Sequence, residues 1–344
     1  MELLKRLPMP DGMAKADIVE LLLAEEYGFL PPAPHSVSAE TESCDHDFCA
    51  GKADLEKKRL ICDAPFGRFE FSVYLICPTG KEGPVPCFIH INFTDQIPDN
   101  YLPAEEIVDN GYAVLYFCYT SVTSDDGNFR DGLAGLVYPE GRTSKTQCGK
   151  IGLWAWALSR VMDYALTLPM LDHQRISVVG HSRLGKTALL AGALDERFFC
   201  AFSNDSGCSG AALARETKGE RIQDIYRNFP YWFCENYGKY AGNEERLPFD
   251  QHFLLAANAP HRVYVCSASQ DQWADPEKEY LSCVAADGYF RGQGLPGFIH
   301  PDREPVPGDF FGEGYIGYHL RSGSHYLSRE DWQHFFKYLE SAAL

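Results

Sequence analysis

Gly180-His181-Ser182-Arg183-Leu184-Gly185-Lys186-Thr187 is the stretch that decides the fold of this 344-residue chain. An apolar run at 176–179 leads into this octet, and a helix-like run at 187–194 follows it. Interpreted as Gly-x-Ser, the octet is a sharp strand-to-helix turn that exposes a nucleophilic serine. Interpreted as Gly-x-x-x-x-Gly-Lys-Thr, it matches a loop whose backbone binds phosphates. The two interpretations exclude each other, so the rest of the chain has to decide between them.

Strand-like and helix-like patterns alternate around the octet. Apolar or alternating runs predict strands at 54–62, 68–77, 85–93, 112–119, 176–179, 198–203, 262–267 and 315–321. Helical patterns separate the later strands, and a closing helix begins at about Arg329. This order predicts an α/β fold, a three-layer α-β-α sandwich with a mostly parallel central sheet and an antiparallel start. We expect one catalytic domain over residues 1–344, with residues 1–45 as a helical or irregular extension.

Composition and charge exclude several classes of partner. The chain has 31 basic and 48 acidic residues, a net charge of -17, and 45% hydrophobic residues. Nucleic acids and anionic membrane surfaces both favour a positive protein, so we expect neither as a partner. No run approaches the roughly 18 apolar residues that a membrane-spanning helix needs. The composition favours an enzyme acting on a small or neutral substrate, and it carries no indication of oligomeric state.

The cysteines and the N-terminus indicate a cellular location. Twelve cysteines occur without any Cys-x-x-Cys pair, so we expect no zinc site and no metal or other cofactor. The first residues lack the uninterrupted apolar segment of a secretion signal. We therefore expect a cytoplasmic protein, whereas removal of a signal ahead of Met1 would imply secretion.

The position of the octet favours the serine interpretation. A phosphate-binding loop commonly follows the first strand of its domain, whereas four predicted strands precede this octet. Its bulky central residues, 181–184, also suit poorly a backbone wrapped around phosphates. The alternative stays open because Phe198 to Asp205 resembles the strand that ends in a magnesium-binding aspartate.

A serine hydrolase of this type requires an acid and then a histidine downstream, each after a strand. His325 follows the last predicted strand and precedes the closing helix, so its loop can reach back to Ser182. Asp205 follows the strand after the serine, and Asp271 follows the strand at 262–267. Either acid can orient the imidazole and stabilise its charged form. We slightly favour Asp271 and expect the two acids to share one site.

The octet and several later motifs together resemble a known family. Gly-x-Ser-Arg-x-Gly-Lys is typical of the glucuronoyl esterases, carbohydrate esterase family 15, and the likeness runs from about residue 85 to the C-terminus. The further motifs, in order, are Asn204-Asp-Ser-Gly-Cys-Ser-Gly-Ala-Ala-Leu213, Gly219-Glu-Arg-Ile222, Phe229-Pro-Tyr-Trp-Phe233, Asp271-Gln-Trp-Ala-Asp-Pro276, Gly323-Ser-His325 and Asp331-Trp332. Several separated motifs in one order make the resemblance specific.

The resemblance implies an α/β-hydrolase that cleaves esters between glucuronic acid on xylan and lignin alcohols, the acid commonly being 4-O-methyl-glucuronate. It implies Ser182 as the nucleophile, His325 as the base and Arg183 as a group that binds the oxyanion. Three further residues fall on positions that contact the sugar: Lys186, Glu220 and Trp273. The expected substrate is thus a small-molecule or oligosaccharide ester.

Two positions depart from the family pattern. Many members have Cys before the serine and Glu at the position of Asp205, whereas this chain has His181 and the shorter Asp205. Loss of one methylene predicts that Asp205 falls short of His325 and that Asp271 takes the role of the acid. We expect His181 to be a packing or orienting group. Alternative functions are an acetyl-carbohydrate esterase, a P-loop nucleotide-binding protein using Gly180 to Thr187, and an inactive carbohydrate-binding relative.

Overall fold

The computed structural model describes residues 2–342, and ten strands within that range form one sheet. The strands are β1 (Ser36–Asp47), β2 (Ala53–Ala64), β3 (Gly67–Pro78), β4 (Val85–Asn92), β5 (Ala113–Cys118), β6 (Leu171–His181), β7 (Cys200–Asn204), β8 (Arg262–Ala268), β9 (Asp309–Phe311) and β10 (Ile316–Arg321). Their order across the sheet is β1-β2-β3-β5-β4-β6-β7-β8-β10-β9.

The sheet is antiparallel at its start and parallel at its centre, as predicted. Strands β1, β2, β3 and β5 pair antiparallel, whereas β5, β4, β6, β7, β8 and β10 pair parallel in that spatial order. The short β9 closes the other edge in antiparallel pairing with β10. Because parallel strands put their carboxyl ends at one edge, the loops after β6, β7, β8 and β10 meet there.

Helices lie between the strands. They are α1 (Lys15–Leu22), α2 (Ala104–Asp109), α3 (Gly132–Val137), α4 (Lys150–Ala165), α5 (Arg183–Leu194), α6 (Ile222–Asn228), α7 (His252–Ala256), α8 (Pro276–Gly292) and α9 (Arg329–Ala342), with short 3₁₀ or π turns at Leu3–Arg6, Leu23–Tyr27, Tyr119–Ser121, Glu235–Tyr240 and Glu244–Arg246. Within residues 2–342, no helix is both long and apolar enough to cross a membrane.

Two hydrophobic cores, one on each face of the sheet, make the fold three-layered. In β4, Ile89 and Ile91 belong to one core and Phe88 to the other, as the alternation of side chains along a strand requires. Helices α4 and α5 pack into the first core, and α2 and α9 pack into the second. The predicted α-β-α sandwich is therefore confirmed.

Two strands, β1 and β9, were not predicted from the sequence. β1 begins at Ser36, inside the segment 1–45 that we expected to be helical or irregular. Its side chains are mostly polar and exposed because β1 is an edge strand, so it lacks the apolar alternation that marks a strand. β9 has three residues, too few to show any period.

Candidate active site

The octet forms the sharp turn between β6 and α5. Ser182 has φ 57° and ψ -127°, a strained conformation for a residue with a side chain, and it stands immediately before α5. A Cβ on Gly180 would lie 2.1 Å from the carbonyl oxygen of Leu184, so the turn can close only over glycine. A Cβ on Gly185 would lie 3.0 Å from Ser203 Oγ. The hydrolase turn is commonly Gly-x-Ser-x-Gly, and Leu184 stands at its last position here. Gly185, one residue later, makes the close helix-to-strand contact instead.

His325 and Asp271 form a hydrogen-bonded pair beside this turn. His325 lies in the loop between β10 and α9, and Asp271 lies in the loop after β8. His325 Nδ1 is 2.6 Å from Asp271 Oδ2; the carboxylate is buried and the imidazole is partly exposed. A carboxylate accepts from Nδ1-H, so the opposite nitrogen, Nε2, is the one left to accept a proton.

Asp205 lies in the same site but has other partners. Its Oδ2 accepts hydrogen bonds from Arg321 Nη2 at 3.2 Å and from the backbone N-H of Tyr326 at 3.3 Å. One carboxylate oxygen of Asp205, one of Asp271 and one ring nitrogen of His325 lie within 4.8 Å of one another. Burial raises the pKa of Asp205 well above its ordinary value, and Arg321 opposes that rise. The two aspartates thus share one site, and Asp271 is the one bonded to the imidazole.

Arg321 holds the loop that carries His325. Its guanidinium donates to both carboxylate oxygens of Asp331 at 3.0 Å and to the carbonyl oxygens of Ser322, Ser324 and Tyr326. Loop 322–326 therefore wraps around one buried cation, which restricts where His325 can lie.

A pocket of about 340 Å³ opens beside Ser182. Its lining comprises Ser182, Arg183, Lys186, Asp205, Ser206, Gly207, Glu220, Phe229, Trp232, Asp271, Trp273, Ala274 and His325. All eight residues that the sequence predicted for the site are in this lining, although they come from five separate segments of the chain.

The three predicted sugar contacts differ in how deeply they are buried. Lys186 is buried, and its ammonium donates to the carbonyl oxygens of Ser206 and Cys208, both at 2.6 Å, while lying 3.6 Å from Glu220. Trp273 is 57% exposed at the rim. The pocket therefore offers a fixed ion pair at its wall and an aromatic face at its mouth.

Arg183 has partners that the sequence did not reveal. Its guanidinium forms an ion pair with Asp125, which lies in the loop after β5, and its Cζ lies 4.8 Å from the ring centroid of Trp232. The sequence did not single out Asp125, because Asp125 is one of three aspartates in a polar loop after a predicted strand. Trp232 stood inside the quoted Phe-Pro-Tyr-Trp-Phe motif without an assigned role.

The backbone does not supply both of the donors that are expected to bind an oxyanion. In this fold one donor is the N-H after the nucleophile, here that of Arg183, and a second comes from the loop after a neighbouring strand. The first amide of the loop after β4, Phe93 N-H, donates instead to the side chain of Asn92 at 2.8 Å. The Arg183 guanidinium, which lies in the same pocket, is a donor that can take that place.

His181 packs against the catalytic candidate on its other side. Its ring centroid is 4.4 Å from that of His325, and its Nδ1 is 2.5 Å from the Asn204 side-chain oxygen. Burial, and to a smaller extent the nearby His325, lower the pKa of His181 to about 3. His181 is therefore neutral at neutral pH and is a packing group.

The geometry does not favour the phosphate-binding interpretation of the octet. The Lys186 ammonium is directed at two backbone carbonyls and Glu220, whereas a P-loop lysine has to reach phosphate oxygens. Asp205, the candidate magnesium ligand, accepts from Arg321. The Gly185-Lys186-Thr187 ending therefore matches the P-loop sequence pattern without forming a phosphate site.

In the described part of the chain, residues 2–342, two groups of side chains have the spacing of metal ligands: Asp205 with Asp271 and His325, and Cys266 with His319 and Asp331. In each group one aspartate already pairs with Arg321. A guanidinium at that position competes with a metal cation for the same carboxylate, so neither donor set fits a metal ion well.

Comparison with known proteins adds the family. A family model described as glucuronyl esterase, fungi, matches residues 66–294. The carbohydrate esterase MZ0003 from an unknown prokaryotic organism is 41% identical over 239 residues, which are 69% of this chain and 55% of that protein. A 4-O-methyl-glucuronoyl methylesterase of Podospora anserina is 29% identical over 271 residues, 75% of this chain and 51% of that protein. The aligned regions thus span about half the length of these curated relatives.

A solved structure covers nearly the whole chain. The glucuronoyl esterase from Solibacter usitatus superposes with a TM-score of 0.89 at 30% identity, covering 96% of this chain and 93% of that chain. The similarity therefore extends beyond the segment that the family model matches.

Proposed function

Because the chain belongs to the glucuronoyl esterase family, carbohydrate esterase family 15, we propose that it is a serine carboxylic-ester hydrolase acting on esters of a glucuronic acid. One observation carries the proposal. Ser182, on a strained turn, shares a pocket with His325, and His325 is hydrogen-bonded to the buried Asp271. This is the chain order and connectivity of a hydrolase triad.

In the first half of the reaction, His325 Nε2 takes the proton of the Ser182 hydroxyl as the serine oxygen attacks the acyl carbon of the ester. Asp271 stabilises the imidazolium that forms and keeps the ring in the required tautomer. His181 is uncharged at neutral pH, so it adds no second positive charge beside that imidazolium. His325 then returns the proton to the departing alcohol, leaving an acyl group on Ser182.

The tetrahedral intermediate carries a negative oxygen that has to be stabilised. The backbone N-H of Arg183 and its guanidinium are the donors in the pocket. In comparable enzymes the loss of one such donor lowers kcat by on the order of 10²- to 10³-fold. In the second half, water activated by His325 attacks the acyl group and releases the free acid, which restores Ser182.

The proposed acid of the ester is a glucuronate, since the relatives named above are a carbohydrate esterase and a 4-O-methyl-glucuronoyl methylesterase. The pocket wall suits a sugar acid. Glu220, held beside Lys186, can accept hydrogen bonds from ring hydroxyls, and Trp273 offers an aromatic face to the ring. A small-molecule or oligosaccharide ester fits a pocket of about 340 Å³ that is open to solvent at Trp273.

A substrate comparison tests this proposal. The purified protein is incubated with methyl glucuronate and, separately, with acetylated xylo-oligosaccharide, and acid release is followed for each. We expect hydrolysis of methyl glucuronate to be faster by tenfold or more. Preference for the acetyl ester would replace the proposed substrate by an acetylated carbohydrate.

A second measurement tests the nucleophile. A fluorophosphonate probe is expected to label the protein, and Ser182→Ala is expected to abolish both labelling and ester hydrolysis. Ser322→Ala is the matched control, because this exposed serine lies in the same loop as His325 and outside the pocket lining. Unchanged labelling of Ser182→Ala would refute the assignment, as would nucleotide binding that depends on Lys186.

A further inference from the structure

Arg183 can stabilise an oxyanion only if something holds it in place. An arginine side chain loses conformational entropy when it is fixed in one position. Electrostatic stabilisation in a transition state is effective when the donors are oriented before the reaction begins. The surroundings of the guanidinium therefore decide how much Arg183 contributes.

The carboxylate of Asp125 is the polar partner of that guanidinium. One carboxylate oxygen, Oδ2, accepts from Arg183 Nη1 and from the hydroxyl of Tyr119 at 3.0 Å. The other, Oδ1, accepts from Trp232 Nε1 at 2.7 Å. Asp125 thus joins the cation to two aromatic side chains and is itself held at both oxygens.

Aromatic rings enclose the same guanidinium. Arg183 Cζ lies 4.8 Å from the ring centroid of Trp232, 5.6 Å from that of Phe229 and 5.7 Å from that of Phe93. The rings of Phe229 and Trp232 are stacked 4.0 Å apart and nearly parallel. Cation-π contacts of this kind restrict the guanidinium without occupying its N-H groups.

The loop that carries Asp125 is anchored independently of the pocket. The ammonium of the fully buried Lys150 donates to Thr123 Oγ1 at 2.8 Å and to the carbonyl oxygen of Asn128 at 2.6 Å. The hydroxyl of Tyr231 donates to the carbonyl oxygen of Asp125 at 2.9 Å. Asp125 is therefore presented by a loop that is fixed on both sides of it.

The ion pair leaves part of the guanidinium available. Asp125 takes Nη1, whereas Arg183 Nη2 is not buried and has no hydrogen-bond partner among residues 2–342. A purely structural ion pair in a protein interior usually satisfies its donors fully. Unused donors on a cation that lines the pocket are what binding of a developing negative oxygen requires.

From these contacts we infer that Asp125 is a positioning residue, which acts on the reaction by holding the Arg183 guanidinium at the oxyanion. The inference rests on the proposed esterase function. Its consequence is that Asp125 contributes to kcat through Arg183 and has no effect of its own once Arg183 is removed. Substrate binding in the ground state depends on other residues, so KM is unaffected.

A double-mutant cycle tests the coupling. Asp125→Asn, Arg183→Ala and the double variant are compared with the unmodified protein on 4-nitrophenyl acetate and on methyl glucuronate. Asp125→Asn is expected to lower kcat by about tenfold or more, with KM changed by less than about threefold. In the Arg183→Ala background the same change is expected to alter kcat by less than about twofold. Equal loss in both backgrounds would overturn the inference.

Asp126→Asn is the matched control. Asp126 is the next residue along the loop and is exposed, and its carboxylate accepts from Ser124 Oγ and the Asn128 N-H. Asp126→Asn removes one charge from the same loop, but Asp126 does not contact Arg183. The kcat of this variant is therefore expected to stay within about twofold of the value for the unmodified protein. A tenfold loss in this control would mean that the loop charge as a whole, and not Asp125, sets the rate.

Chemical rescue covers the case in which Asp125→Asn folds poorly. Low-millimolar guanidinium added to Arg183→Ala is expected to restore part of kcat, because the slot between Asp125 and the aromatic rings remains. Asp125→Glu keeps the charge and is expected to retain more activity than Asp125→Asn. No rescue in a folded Arg183→Ala, together with equal activity of the two Asp125 variants, would contradict the inference.

The two substrates separate this inference from the proposed function. Oxyanion stabilisation applies to any ester, so coupling on 4-nitrophenyl acetate tests Asp125 even if methyl glucuronate is not hydrolysed. Activity on the aryl ester alone would refute the glucuronate proposal and leave the coupling measurable. Hydrolysis of neither ester by the unmodified protein would overturn both.

Discussion

Asp205 and Asp271 follow neighbouring parallel strands, β7 and β8, and lie in the same pocket, yet they have different partners. Asp271 is 2.6 Å from His325 Nδ1. Asp205 is buried against Arg321 and the backbone of Tyr326, the residue next to His325. One aspartate therefore orients the imidazole directly, and the other fixes the loop on which the imidazole stands.

The difference shows that position on the sheet edge does not by itself assign a role. A carboxylate bonds to the donor that its side-chain length and its neighbours put within reach. Asp205 has a cation, Arg321, close to it, whereas Asp271 has the imidazole. Four tests follow that would strengthen or break this contrast, and they run from the largest expected effect to the smallest.

Exchanging each carboxylate for its amide should separate the two roles. Asp271→Asn is expected to lower kcat by on the order of 10³- to 10⁴-fold, because the imidazolium loses its charged partner and the tautomer changes. Asp205→Asn is expected to lower kcat by less than about tenfold. Steady-state hydrolysis of an aryl ester measures both, with thermal unfolding as the control for folding. Equal losses would mean that the two acids serve His325 jointly.

Removing the cation tests the loop clamp. Arg321→Met leaves Asp205 and Asp331 buried without their positive partner, which is expected to reduce the free energy of unfolding by about 3–5 kcal/mol. Denaturant unfolding measures this loss. Arg321→Lys keeps the charge and forms fewer hydrogen bonds to loop 322–326, so an intermediate value is expected. An unchanged unfolding midpoint in Arg321→Met would show that the loop is held by other contacts.

Replacing Asp205 by Glu, the residue common at this position in the family, should bring a carboxylate at position 205 within reach of His325. One extra methylene extends the side chain by about 1.5 Å. In the Asp271→Asn background, Asp205→Glu is therefore expected to recover kcat by about tenfold, because the new carboxylate can reach His325. Asp205→Gln in the same background is the uncharged control and should recover nothing. Failure of Glu to exceed Gln would show that Arg321, rather than length, keeps position 205 from the imidazole.

The pH dependence of stability tests the other neighbour of His325. Burial lowers the pKa of His181 to about 3 from its ordinary value near 6.5, so between these pH values the unfolded chain binds a proton that the folded chain does not. Its contribution is complete above about pH 6.5 and is lost as the pH falls toward 3. His181→Gln is expected to reduce the loss of unfolding free energy between pH 7 and pH 5 by about 1–2 kcal/mol.

Exposed His35 provides the control for that measurement. His35→Gln is expected to leave the change between pH 7 and pH 5 as in the unmodified protein. A steeper loss in His181→Gln than in the unmodified protein would mean that His181 is charged in the fold.

Much of the fold could be predicted because its signals are local. The apolar strands from β2 to β8 and β10 overlap the predicted runs, and the glycines of the octet mark the turn at Ser182. The edge strand β1 could not be predicted, since its polar, exposed side chains carry no apolar period. The single catalytic domain and the cytoplasmic location stay predictions.

Part of the site was also readable, because a hydrolase puts its serine, acid and histidine in a known chain order after successive strands. That order gave Ser182, His325 and two candidate acids. It could not give Asp125 or Arg321, since neither stands in a motif, and each acts through a partner that is 58 or 116 positions away.

The sequence by itself determined the strand-turn-helix at Ser182, the alternation that builds a parallel sheet, and the set of residues that meet at its carboxyl edge. These depend on backbone sterics and hydrophobic period, which neighbouring residues specify. The tertiary structure decided which aspartate bonds to His325, what holds Arg183 and that Lys186 pairs with Glu220 and two carbonyls. Those outcomes depend on distances of a few ångströms between segments remote in sequence, where buried charges compete for the same hydrogen bonds.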